Sequence, residues 1–115
     1  MATVQHASYN DWQRVYGDVY EALPAPPAHT CPNCGHRDTL RLEFVASESD
    51  RIGYGMFWCG FCLFGIRISR TWVPEGVSFH PFGTPQEELR RLVPEYTVVY
   101  PPADEDPEGF EEVVF

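Results

Sequence analysis

The chain contains no lysine. Its eight cations are all arginines, set against 17 carboxylates for a formal net charge of −9. Binding to a nucleic-acid backbone rests on neutralising phosphates with Lys and Arg, so this balance disfavours nucleic acid as a partner. No apolar run approaches the ~20 residues that a membrane-spanning helix needs, so no membrane partner is expected. The opening MATVQHASYNDW has no basic region followed by an apolar stretch. No secretory leader is expected from it, and the location expected is cytoplasmic and reducing. GxSxG, P-loop and HExxH signatures are also missing, as is a second metal-ligating set. The chain is therefore expected not to be an enzyme. Cysteine is scarce as well, at four residues in two pairs, and disulfides are disfavoured in a reducing compartment.

What is present fits one domain over residues 1–115, with a small core that 15% aromatic residues can fill. Charge is uneven along it. Residues 1–29 carry Asp11, Asp18 and Glu21 against Arg14, and residues 30–72 carry five Arg against four acids. Residues 73–115 carry ten acids against Arg90 and Arg91, which puts most of the negative charge in the last third.

The period of the apolar residues sets the expected elements. Trp12, Tyr16, Val19, Tyr20 and Leu23 fall on one face of a helix over 8–23, with Ser8 or Asn10 available as its cap. This stripe suits core packing, with a docking face for a partner as the alternative. PAPPAHT (24–30) cannot continue a helix and reads as an extended connector. TLRLEFVA (39–46) alternates with period two, SESDRIG (47–53) reads as a loop, and YGMFW (54–58) and LFGIRISRTWV (63–73) read as further strands. In the last of these, Ile66, Ile68 and Trp72 are expected on one face. Residues 74–102 form a C-terminal extension. Within it GTPQEELRRLVP (83–94) predicts a short helix, with a Thr84–Glu87 capping box and Pro85 at its first position. EYTVVYPP (95–102) suits one more strand. Residues 103–115 make an acidic tail, with six acids in the stretch 104–112 and an apolar VVF ending; such runs are commonly solvated. The class expected is α+β: a small antiparallel sheet of three or more strands with an N-terminal amphipathic helix and a short C-terminal one.

The cysteines fall as CPNC (31–34) and CGFC (59–62), a C-x2-C-x24-C-x2-C pattern. A C-x-x-C turn brings two sulfurs to one point, and two such turns at the ends of a hairpin bring four. Cys31, Cys34, Cys59 and Cys62 are the expected ligands of one structural Zn2+, with every coordination position filled by protein. Iron in a four-thiolate site and a dithiol redox pair are the alternatives. His29 and His36 flank the first pair and are expected outside the ligand set. Gly35 follows Cys34 directly, whereas Leu63 and Phe64 separate Cys62 from Gly65, so the second turn is the less ideal.

CPNCG, a strand–loop–strand, and CGFC leading into LFGIRIS together resemble the zinc ribbon family, over residues 30–73. That resemblance implies a knuckle, a hairpin, a second knuckle and a third strand, around zinc. In the transcription-elongation type of ribbon an adjacent Asp-Glu pair sits at the hairpin tip. The same register here falls on Asp50, which matches, and Arg51, which does not. The family includes nucleic-acid binders, protein adaptors and enzyme appendages, so it implies no single function.

Two functions follow as expectations. One is a non-enzymatic protein-interaction module (adaptor, regulator or inhibitor) whose acidic segment meets a protein partner with a basic surface. The other is a nucleic-acid or transcription-machinery ribbon using Arg37, Arg41, Arg51, Arg67 and Arg70 as cations and Tyr54, Phe57 and Trp58 to stack on bases.

Overall fold

The computed structural model describes residues 5–101. The acidic tail expected at 103–115 lies outside the described residues. The elements run α1 (Tyr9–Ala22), β1 (Leu40–Ala46), β2 (Ile52–Cys59), β3 (Phe64–Trp72), β4 (His80–Pro81), α2 (Gln86–Leu92) and β5 (Thr97–Val98).

α1 starts where its sequence allows. Ser8 is the N-cap: its hydroxyl accepts from the Asp11 N–H, and the Asp11 carboxylate accepts from the Ser8 N–H, a reciprocal capping box. Trp12, Tyr16 and Val19 are buried, and Tyr20 and Leu23 are partly buried beside them. The aromatic stripe is thus core rather than a free docking face. Trp12 meets the Phe57 ring edge to face at 5.7 Å, and Tyr16 meets the same ring at 5.7 Å. Each such aromatic pair adds about 1 kcal/mol to the burial itself.

The sheet has the order β4-β1-β2-β3-β5. Its centre is the expected antiparallel meander, with Leu42 opposite Phe57 and Phe57 opposite Ile66. The whole sheet, however, is mixed rather than antiparallel. β4 lies parallel to β1 through Val45 and His80, and β5 lies parallel to β3 through Gly65 and Val98. The reason is the path of the chain. After β3 it passes to the far edge of the sheet, crosses back through α2, and re-enters at the start of β3. A crossover of this kind sets strands parallel.

Two other expectations are corrected. Between Gly53 and Gly55 of β2 the pairing moves from Thr71 to Ile68, so β3 holds one extra residue there. A bulge flips the faces that follow it. Thr71 therefore approaches α1, its Oγ1 3.4 Å from the Tyr16 hydroxyl, while Trp72 is 46% exposed instead of sharing the Ile66 face. At α2 the capping box does not form. Pro85 is the N-cap, without a side-chain cap bond, and the Thr84 hydroxyl donates to the Pro81 carbonyl instead.

Arg51 ties the hairpin tip to the segment after β3. Its guanidinium donates to the carbonyls of Val73, Pro74 and Val77, and lies 4.9 Å from the Phe79 ring centroid. Beneath it, Phe44, Ala46 and Val73 form a second small core with Tyr20 and Leu23. The main core runs from Ala7 to Val99 and includes Cys31, Cys59 and Cys62. No described helix is long and apolar enough to cross a membrane.

Candidate metal centre

The first cysteine turn stands between the proline-rich connector and β1. A backbone bridge from Thr30 to Arg37 closes its base, and the Cys31 N–H donates to the His36 carbonyl at 2.9 Å. The second is the tight β2–β3 connection itself, since Cys59 ends β2 and Phe64 begins β3. The two turns share one geometry. Gly35 N–H donates to the Cys31 carbonyl at 3.0 Å, and Leu63 N–H donates to the Cys59 carbonyl at 2.9 Å. Gly35 has φ +82° and Leu63 φ +59°. The residue directly after the second cysteine must turn left-handed, a conformation natural for glycine and costly for leucine. The second turn therefore forms without its glycine, at Leu63, and Gly65 has a different task in β3.

The four sulfurs converge. Cys31 Sγ lies 3.9 Å from Cys62 Sγ, Cys34 Sγ lies 3.7 Å from Cys59 Sγ, and all four fall within 4.8 Å of one another. A tetrahedral ion with metal–sulfur bonds of about 2.3 Å needs sulfurs about 3.8 Å apart. The set is in position to bind a metal ion. Cys31, Cys59 and Cys62 are buried and Cys34 is half-buried.

Donors surround the sulfurs, as thiolates require. Cys31 Sγ accepts from the N–H groups of Asn33 (3.3 Å) and Cys34 (3.4 Å), and Cys59 Sγ from those of Phe61 (3.3 Å) and Cys62 (3.5 Å). The Thr39 hydroxyl lies 3.1 Å from Cys59 Sγ, and the Asn33 side-chain amide donates to Cys62 Sγ at 3.7 Å. The titration follows this arrangement. Burial pushes the Cys31 and Cys62 thiols up. Burial acts on Cys59 too, but the Thr39 hydroxyl and the two N–H donors outweigh it and hold Cys59 down to about 7.

Asn33 and Thr39 play no part in the expected ligand set, yet both touch it. Asn33 also reaches away from the sulfurs: its Oδ1 accepts from the N–H groups of His6 (2.5 Å) and Ala7 (3.0 Å), just ahead of α1. The histidines stay out of the cluster. His36 is exposed and stacks on Phe61 at 3.8 Å, joining the two turns on their outer side. His29 is half-buried, and its Nδ1 has no hydrogen-bond partner among the described residues.

The other candidate residues are dispersed. Phe57 and Trp58 are buried, leaving Tyr54, at 37% exposed, as the accessible member of the stacking set. Arg51 is committed to backbone carbonyls, and Arg41 donates to the carbonyls of Asp38 and Leu40. Asp50 Oδ1 accepts from the Ile52 N–H, and its neighbour at the hairpin tip is Arg51, so no adjacent carboxylate pair stands there. His80, in β4, reaches across to β1, its Nε2 2.9 Å from Glu43 Oε1.

No protein-family model, curated protein or solved structure matches this chain.

Proposed function

We propose that Cys31, Cys34, Cys59 and Cys62 ligate one structural Zn2+ in a zinc ribbon over residues 30–73. The carrying observation is the closed set of four sulfurs at tetrahedral spacing, with backbone donors on Cys31 and Cys59. Four protein ligands leave no coordination position for water or substrate, so the ion's role is to hold the fold. We read the chain as a non-enzymatic protein-interaction module that meets a basic surface on a protein partner. The support is its charge: ten acids against two arginines in residues 73–115. Like-signed charge of this density raises the association rate with a basic partner and makes it sensitive to salt. The nucleic-acid alternative is weakened by the burial of Phe57 and Trp58 and by the commitment of Arg51.

Two measurements test the reading. Elemental analysis with thiol counting is expected to give one zinc for every four cysteines; an iron-coloured protein or an ion-free folded one refutes the zinc centre. Capture on immobilised chain is then expected to retain a basic protein that elutes with moderate salt. That protein should be lost when the acids of 104–112 are changed to amides. Retention indifferent to both salt and these substitutions refutes the acidic docking.

A further inference from the structure

The sheet face turned away from α1 carries a groove of about 680 Å3 roofed by α2. Tyr54, Met56 and Arg67 line it from the sheet, and Leu89, Arg90 and Val93 from the helix. α2 buries none of its residues, so its side of the groove stays open. Among the described residues neither Arg67 nor Arg90 has a carboxylate partner; the carboxylates with a basic side chain beside them are Asp11, next to Arg14, and Glu43, next to His80. Glu95 is the one carboxylate in the lining, against two guanidiniums. The groove thus sets two guanidiniums against one carboxylate among mixed polar and apolar side chains, in a chain of net charge −9.

We propose that this groove takes the chain's own acidic segment, residues 104–112. Three observations favour that occupant. The segment has the matching chemistry: DEDPEGFEE carries six carboxylates around Phe110, and arginine binds carboxylates in a two-pronged fork. The described chain also leaves the groove shortly before it ends. Tyr96 lines it and stacks on Trp58 at 5.6 Å, and Pro101, five residues later, is the last residue described. Finally, the reach is sufficient. At about 3.3 Å per residue, Asp104 lies within about 10 Å of Pro101 and Glu112 within about 36 Å, against a longest molecular dimension of 39 Å. A tether this short gives an effective concentration in the millimolar range, so weak contacts suffice. The inference needs neither zinc nor a partner. It does bear on the proposed docking, because a partner's basic surface then competes with Arg67 and Arg90 for the same acids.

The test compares full-length chains by 15N–1H NMR. One is the natural sequence; the other has Asp104, Glu105, Asp106, Glu108, Glu111 and Glu112 changed to amides. The Arg67 and Arg90 side-chain signals and the Met56 and Leu89 amides are expected to shift between them, at equal melting temperature. The shift is expected to vanish in high salt and to stay constant over a tenfold range of protein concentration. In a reciprocal arm, Arg67→Gln with Arg90→Gln is expected to move the backbone signals of 104–112. Groove signals identical in the two chains overturn the proposal. A shift that grows with concentration alongside a doubled mass also overturns it, in favour of a second copy of the chain.

Discussion

Asn33 Oδ1 accepts two backbone N–H groups ahead of α1 while its amide nitrogen donates to Cys62 Sγ. The residue is 5% exposed and Ala7 is 2% exposed, so water cannot readily replace these bonds. Asn33→Ala leaves the Ala7 N–H buried without its acceptor, and a cost of about 2–3 kcal/mol is expected from unmade buried hydrogen bonds. Asn33→Asp separates the two roles. It keeps the acceptor for His6 and Ala7 but sets a carboxylate where a donor faced sulfur. Chemical denaturation is expected to show a smaller loss for Asp than for Ala, and competition with a chelator to show weaker metal retention. An Asp variant that holds metal as tightly as the natural chain refutes the role given to the amide. The cysteines themselves were legible from spacing, because C-x-x-C is a local geometry. Asn33 was not, since its task depends on a segment 26 residues away. Leu63 was legible only as an irregularity: the missing glycine is visible in CGFCL, but not that leucine adopts the left-handed turn in its place.

At the scale of elements, period and position separate what could be read from what could not. The stripe Trp12–Tyr16–Val19 and the period of β1 are local repeats set by helix and strand geometry, and both elements form; in β1 strict alternation gives way at its end, where Phe44, Val45 and Ala46 are all buried. The strands β4 and β5 are pairings of two residues each, made by tertiary approach to strand edges, and no sequence repeat announces their direction. The β3 bulge escapes a reading that assumes strict alternation through Trp72. Two glycines show how element context sets the sign of a substitution. Gly17 lies within α1, and a methyl group there would meet nothing within 4 Å. Gly17→Ala is therefore expected to stabilise by about 1 kcal/mol through helix propensity. Gly65 lies in β3 facing β2, where a methyl group would land on the Phe57 carbonyl and the Trp58 Cα. Neither is a flexible side chain, so the strands must part. Gly65→Ala is expected to cost more than about 3 kcal/mol, in the range of strong overpacking. Thermal melts of the two variants should move in opposite directions, and a Gly65→Ala chain that melts with the natural one contradicts the β2–β3 register.

For the molecule as a whole, the four-cysteine cluster and the apolar core are one body. Cys31, Cys59 and Cys62 belong to the same buried cluster as Ala7, Trp12, Phe57, Ile66 and Val99. That cluster joins the start of α1 to β5. The ribbon expected over 30–73 is therefore not a separable unit carrying flanks, because its sulfurs pack with side chains from both flanks. Small domains are stable by only about 5–15 kcal/mol, and a structural zinc contributes about 10–16 kcal/mol in small peptides. On the proposed zinc reading, removing the ion takes from sulfurs at 3.7–3.9 Å the bonds that offset burying them. Asn33 then loses its fixed neighbour at Cys62, and with it the anchor for the entry to α1. Chelation is expected to unfold helix and sheet together rather than fray the two turns alone. Near-ultraviolet dichroism reports the packing of the aromatic side chains, Trp12 against Phe57 and Trp58 against Tyr96 among them, and far-ultraviolet dichroism reports the backbone. The two signals should fall in one transition as a chelator removes the ion, and return together when zinc is restored. If the near-ultraviolet signal survives after the metal has gone, α1 and the sheet hold each other without the sulfurs, and the dependence of the fold on its ion is refuted.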